Sequence, residues 1–528
     1  MVTKCQTRFS LLAIAIAIGL LATACSSDDV SNVASDIAPS VQAEAADAGG
    51  AAAEPETMAD DGSTAAPEPT TAPEPTAALR PTAVPEPTAA LRPTSTPVAY
   101  GPAPGVLSGP SSPEVVSAID GLLGLGPSDN DVLRQLEVIG ASGDARHGWF
   151  LADMLRFMSY GTSLNEPVTT AFADLTGVDV SGPDAWGLST NHLLTWDIPA
   201  PPEYLPWKAE LFLSLEEGWE PFFTDTDAAI DWRTVSWGGV RIDDRELDAV
   251  DLPCPEGCIP ALNDPDVTDA AGGDWYPDDA IVFGVVVNGE ARAYPKNVME
   301  VQEMVNDTLG GRRIGMPYCT LCGSAQAYFT DEVDGAVGLD AETFELRTSG
   351  LLTRSNKVMY EFHTKSVFDT FTGEAVSGPL LDAGVALEQL SVITTTWGDW
   401  KQNYPDTTIT SENRPWGGTY PDDPLRGRDD AGPIFPIGEA DGRLSVHESV
   451  LGVELADGST IAFVAATAHE RLAAGDVVEA SGVLVVADAG GLRAETIDGD
   501  AVASHQAFWF AWSQFHPDTV LWDGTVVS

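Results

Sequence analysis

Two cysteines three apart, in "MPYCTLCGSAQAYF" (316–329), carry the most reactive side chains at the closest spacing in the chain: Cys319-Thr-Leu-Cys322. Thiolates at this spacing can chelate a soft ion such as copper(I) or zinc, as half of a site, or close into a small-ring, reducible disulfide. There is no matching second C-x-x-C, so a metal needs further ligands, and the residue types available are Met316, Met359, His363, His505 and His516. His516 leads this group, because in "FHPDT" Pro517 stiffens the backbone after it and Asp518 could orient the ring. A thioredoxin-like pair would set its first cysteine at a helix start. Here Gly323 and Ser324 lead by alternation into Tyr328 and Phe329, which reads as strand and ranks metal binding ahead of thiol exchange. The bland readings are a disulfide staple, a histidine beside a turn, and core packing for Met359 and for "FWFAW" (508–512), read as a strand of dense aromatic residues.

The remaining cysteines bear on the compartment. Cys254 and Cys258 bracket Pro255-Glu256-Gly257, a loop that can close on itself as a disulfide, although four thiols allow three connectivities and spacing alone does not choose. Disulfides persist in oxidising compartments. The N-terminus supplies that context: Lys4 and Arg8, an apolar run from Leu11 to Ala24, and small residues before Cys25. The run is shorter than the roughly 20 residues of a spanning helix. Residues 1–24 therefore read as a signal peptide, and the arrangement resembles a bacterial lipoprotein box with Cys25 as the lipidated first residue.

The elements that must position these groups follow from texture. Residues 25–111 are Ala, Pro, Glu and Thr with a repeated "PEPTAALRPT", too polar to bury a core, and read as a disordered tether. Residues 112–235 read as a small helical domain, opened by the cap Ser112-Pro113-Glu114 and an apolar face of Val115, Ile119 and Leu122. Residues 236–528 read as β-rich, with "AIVFGVVVNGEARAYP" (280–295) a hairpin about Asn288-Gly289. A second version of it appears in "ESVLGVELADGSTIAFVA" (448–465). A helix is expected in "KNVMEVQEMVND" (296–307). The fold class is thus α+β: a mainly β C-terminal domain with hairpins and a few helices, preceded by the helical domain. The net charge of −54, with only six lysines, makes nucleic acid a poor partner.

In order along the chain, "GCIPALNDPDV", "GVVVNGEARAYP", "PYCTLCGSA", "TSGLLTRSNKVMYEFHTKS", "LGVELADGSTIAF" and "FWFAWSQFHPDT" resemble the family catalogued as domain of unknown function 3179, across 236–528. The resemblance implies no established activity. Two positions depart from the family pattern: Gln302 where a histidine is usual, and Phe362-His363 where Asp-Arg is usual. No catalytic triad, nucleophile elbow, P-loop or dinucleotide fingerprint is present, and no carboxylate pair stands out for acid–base work. Two function classes follow. One is a lipid-anchored, extracytoplasmic protein with a copper, zinc or thiol-redox site at Cys319 and Cys322, completed for a metal by His516. The other is a non-catalytic envelope module with structural disulfides that docks a protein partner. A wall-polymer hydrolase is a weaker third class, with a tether but no visible active site.

Overall fold

The computed structural model describes residues 100–124, 129–333, 335–340, 343–427 and 432–524. The segment expected as a signal peptide, Cys25, and the part of the expected tether up to residue 99 lie outside the described residues. Among the described residues no helix is long and apolar enough to cross a membrane.

Seven helices come first: α1 (Pro113–Leu123), α2 (Asp129–Gly140), α3 (Gly148–Arg156), α4 (Asn165–Thr176), α5 (Ala185–Thr195), α6 (Tyr204–Leu213) and α7 (Glu220–Thr224). The Ser112 hydroxyl accepts from the Val115 amide and caps α1, with Pro113 in the first turn where its missing N–H costs nothing. Phe150, Phe172, Leu193, Phe212 and Trp219 form the core of this layer, and that core continues without a break into Leu351, Val358, Tyr360 and Val367 of the β-rich part. Residues 101–111, expected as tether, run instead as extended chain bound to the helices. Trp196 Nε1 donates to Gly101 O, Arg146 Nη1 to Gly109 O, and the Ser111 hydroxyl to Glu203.

The strands, in chain order, are β1 (Val235–Trp237), β2 (Leu262–Asn263), β3 (Val267–Asp269), β4 (Ile281–Val287), β5 (Glu290–Pro295), β6 (Met304–Leu309), β7 (Arg312–Cys319), β8 (Ser324–Ala325) and β9 (Ala327–Phe329). Then follow β10 (Leu346–Thr353), β11 (Asn356–Glu361), β12 (Val367–Asp369), β13 (Gln389–Leu390), β14 (Ile393–Thr396) and β15 (Thr408–Thr410). The last are β16 (Ser449–Glu454), β17 (Thr460–Val464), β18 (Val478–Ala480), β19 (Val483–Asp488), β20 (Gly491–Thr496), β21 (Ala501–Val502), β22 (Ser504–Phe508) and β23 (Val520–Trp522). Helices α8 (Lys296–Gln302), α9 (Pro379–Asp382), α10 (Trp397–Asn403), α11 (Ala465–Ala473) and α12 (Trp509–Phe515) interrupt them. The fold is α+β with a mostly β C-terminal part arranged as five small sheets.

Four of those sheets are two copies of one plan. The order β14-β4-β5-β15 recurs as β22-β16-β17-β23, with the last pair parallel in both. The order β6-β7-β9-β13 recurs as β18-β19-β20-β21. The related hairpins expected at 280–295 and 448–465 are the first strands of the two copies. The sequence signature is W-x-x-W-x-Q-x-x-P-D-T, at 397–407 and again at 509–519. In each copy the second tryptophan of this signature caps the same hairpin. The indole N–H of Trp400 donates to Thr407 Oγ1 at 2.8 Å and that of Trp512 to Thr519 Oγ1 at 3.0 Å. Each ring lies flat on a glycine: a Cβ on Gly284 would come within 2.2 Å of Trp400, and one on Gly452 within 2.1 Å of Trp512.

The first copy carries what the second lacks. Where β19 turns tightly into β20, the first copy interposes 320–326 with β8, and between β9 and β13 it interposes 330–388, which supplies β10, β11 and β12 of a sheet that β1 completes at its edge. Two local expectations are corrected here. The helix expected over 296–307 stops at Gln302, because Glu303 takes a left-handed φ of 53° and sends the chain into β6. The "FWFAW" run, expected as strand, is mostly α12: Trp509, Phe510 and Trp512 supply the helix's buried side, while only Phe508 belongs to β22.

The tryptophan-on-glycine contact gives a direct test. Gly452→Ala forces the Trp512 indole to shift, with an expected loss of about 1–3 kcal/mol in urea unfolding. Gly442→Ala, with nothing within 4 Å of the new methyl, leaves the midpoint unchanged.

Candidate functional site

Cys319 ends β7 and Cys322 closes the turn that follows, with the Cys322 amide donating to Cys319 O at 3.2 Å. The turn is pinned from both sides. Cys319 pairs with Ser324 and Tyr318 with Ala325, while the Phe508 amide of the second copy donates to Cys322 O at 2.9 Å. Gly323 is required here: its φ is 58°, and a Cβ would come 2.8 Å from the Phe508 ring. Both cysteines are free and buried, at 2% and 0% exposure. At the tip, Leu321 and Gly323 are partly exposed.

The two thiols are not equivalent. Cys322 Sγ lies 2.8 Å from Cys319 Sγ, 3.3 Å from Ser355 O and 3.5 Å from Asn356 Oδ1. Burial pushes the Cys319 thiol up, but bonds from the Cys322 thiol, the Lys357 amide and the Cys322 amide outweigh it, so its pKa falls below the ordinary thiol value. Cys322 is pushed well above that value, first by burial and then by its bond to Cys319. Cys319 is therefore the favoured thiolate of the pair.

An ion pair lies beneath the sulfurs. Lys357 Nζ donates to Glu303 O at 2.6 Å, to Glu303 Oε2 at 3.0 Å and to Thr348 Oγ1 at 3.0 Å. Burial lowers the Lys357 pKa, with Glu303 and Cys319 opposing that shift. The left-handed turn at Glu303 thus both ends α8 and delivers a carboxylate to the thiol layer. Around the pair, Ser324 Oγ, Gln326 Oε1, Ser355 Oγ and Asn356 Nδ2 are buried with no hydrogen-bond partner, a concentration of unsatisfied polar atoms unusual in a packed interior.

Among the described residues no three His, Cys, Asp or Glu side chains come together as a group that could hold a metal, so Cys319, Cys322 and His516 are not assembled into one. Two sulfurs on a tetrahedral zinc, each at about 2.3 Å, stand about 3.8 Å apart. The pair is closer than that. His516 packs its ring on Trp512 at 4.2 Å and occupies the place that Tyr404 takes on Trp400 in the first copy, while Asp518 is exposed. His505 is buried between Gln326 and Gln389, against Phe371 and Trp512. Met316 and Met359 are fully buried core residues, and His363 is exposed. Cys254 and Cys258 are bonded to each other.

Glu303, Ser355, Asn356 and Lys357 escaped the sequence reading. One signal pointed to them: a lysine opening an apolar alternation in "KVMYEF" is conspicuous in a chain with six lysines.

Fold and site together define an α+β protein built on a duplicated hairpin-and-helix unit with a buried dithiol between the copies. Residues 256–498 match the model of the family described as "Protein of unknown function (DUF3179)". The matched span is shorter than the 236–528 that the motifs suggested. No curated protein matches the chain, and no solved structure does.

Both inner histidines resist protonation, His505 lowered to about 3 by burial and by His516, and His516 to about 4 by burial. Below the ordinary value of 6.5 the unfolded chain binds protons that the folded chain refuses, so stability is full above that pH and is lost as pH falls through 4 and 3. His516→Tyr, which copies Tyr404, is expected to fold at neutral pH and to flatten part of this acid loss in urea titrations at successive pH values. An unchanged acid slope would contradict the buried, neutral imidazole.

Proposed function

We propose that Cys319 and Cys322 form a dithiol–disulfide redox centre in a protein held outside the cytoplasm by a lipid on Cys25. The observation that carries this reading is two free, buried thiols 2.8 Å apart in unequal surroundings: Cys322 Sγ lies against Ser355 O at 3.3 Å and Asn356 Oδ1 at 3.5 Å, and the two pKa values are pushed in opposite directions. In the exchange, the Cys319 thiolate attacks a partner disulfide and expels one partner thiolate, forming a mixed disulfide. Cys322 then loses its proton and attacks Cys319 Sγ, releasing the second partner sulfur as a thiolate that takes up a proton. Two electrons pass to the partner and the pair ends oxidised. Access comes through opening of the four-residue turn at its partly exposed tip, Leu321 and Gly323. The partner class is a thiol or disulfide of the envelope, and the acidic surface disfavours nucleic acid. The finer arrangement belongs to the same reading: the helical part is a small domain ahead of the β-rich one, and the tether sets its distance from the membrane, between about 50 Å as coil and about 250 Å as extended polyproline.

The test is reactivity. In Cys322→Ser, Cys319 should alkylate at neutral pH with a titration midpoint below the ordinary thiol value, and in Cys319→Ser, Cys322 should react about tenfold more slowly or less. Lys357→Met should raise the Cys319 midpoint and Lys357→Arg restore it, a shift that loss of packing alone would not produce. Equal, slow alkylation of both cysteines would favour the second reading, a non-catalytic envelope module in which burial of the pair serves only the fold. The anchor is tested separately: Cys25→Ser should move the protein from the membrane fraction to the soluble one, and retention with an unmodified N-terminus would contradict it.

A further inference from the structure

Acidic residues outnumber basic ones 80 to 26 in this chain, so a buried cation without an acid is an anomaly. Among the described residues Arg146, Arg156, Arg292 and Arg347 are less than 9% exposed. Three of them face carboxylates: Arg146 meets Asp144 at 2.7 Å, Arg292 meets Asp307 at 2.5 Å and Arg347 meets Glu345 at 2.6 Å. Arg156 meets none. Its Nε donates to Trp237 O at 2.7 Å, its Nη2 has no partner, and Trp186, Trp237 and Phe435 cage the guanidinium at 4.4, 5.0 and 5.4 Å. Burial alone pulls its pKa down to about 9.

The wall formed by Trp186 also bounds an enclosed cavity of about 10 Å³ where the helical layer meets the β10–β11 turn. Two acid–base groups on this cavity are already satisfied: Asp153 is held by Lys208 at 2.8 Å, and Arg233 by Asp231 at 2.7 Å and Asp197 at 3.0 Å. Arg354, also on the cavity, donates Nη1 to Ile437 O at 3.0 Å and touches no carboxylate. Thr190 lines the same space, 9% exposed, with its hydroxyl unpartnered. Asp231 and Asp197, held on Arg233, also act on Arg354 at longer range, so what remains without a carboxylate is Arg156, behind Trp186, and what remains without a partner on the cavity itself is the Thr190 hydroxyl. A guanidinium removed from water without an anion is costly, and an anion is the partner it binds best.

We propose that this cavity binds one halide ion, chloride under ordinary conditions, between Arg354 and Thr190 with Arg156 behind the Trp186 wall. The volume admits about one water-sized particle, which excludes carboxylate, phosphate and sulfate. The site is independent of the thiol chemistry, although Arg354 directly precedes the Ser355 and Asn356 that touch the sulfurs.

The experiment is a bromide titration of the detergent-solubilised full chain, with gluconate holding ionic strength constant and Tm as the readout. A saturable rise in Tm is expected, as for any ligand that binds only the folded state. Arg354→Gln should weaken the apparent bromide affinity by about tenfold or more, and Thr190→Val should weaken it without altering the Tm in gluconate. Anomalous diffraction from a bromide-soaked crystal should place one ion in the cavity. A Tm indifferent to bromide at fixed ionic strength, an equal rise in Arg354→Gln, or a water with no anomalous signal in the cavity would each overturn the proposal.

Discussion

The contact on which the β-rich part depends is an indole laid on a glycine. Trp400 on Gly284 and Trp512 on Gly452 each close a hairpin against the helix that follows the neighbouring strand, and in each case only the absence of a Cβ lets the ring descend to the sheet. The threonine of the P-D-T turn then satisfies the buried indole N–H, so a large apolar surface is buried with no orphaned donor. Because this lock occurs twice, the chain makes two equivalent platforms. They meet where β8 and the Cys319–Cys322 turn receive a hydrogen bond from Phe508 of the second copy.

That meeting place sets the chemistry. Cys319 ends a strand that both copies share and Cys322 lies in the segment inserted after it in the first copy, while the second insertion, through β10 and β11, brings Ser355, Asn356 and Lys357 to their other side. Neither insertion would hold the sulfurs alone: one supplies the turn, the other the amide and carbonyl that distinguish Cys319 from Cys322. In the proposed redox reading, Lys357, buried beneath the thiols, favours negative charge on Cys319, and the half-buried Glu303 carboxylate, 3.0 Å from Lys357 Nζ, balances the ammonium when the sulfur is oxidised.

Much of this was legible in the sequence. The Asn288-Gly289 and Asp457-Gly458 hairpins, the cap at Ser112, the Cys254–Cys258 loop and the family motifs all rest on local pattern, which short-range physics decides. The duplication was half visible: the hairpins were matched, but W-x-x-W-x-Q-x-x-P-D-T was not, and without it His516 looked like a ligand rather than the counterpart of Tyr404. The aromatic density of "FWFAW" pointed rightly to the core but wrongly to a strand: Trp509, Phe510 and Trp512 are buried from a helix. The thiol environment was not legible, because Glu303 and Lys357 are far from the cysteines in sequence and reach them only through a left-handed residue and an inserted hairpin.

The most direct measurement is the redox state of the cysteines after equilibrating the full chain in glutathione buffers of graded poise, trapping free thiols and weighing the peptides. The account predicts that a Cys319–Cys322 disulfide forms and is lost reversibly across the series, while the Cys254–Cys258 bond behaves independently. A Cys319–Cys322 pair that stays reduced in every buffer, or stays oxidised in every buffer, would contradict it.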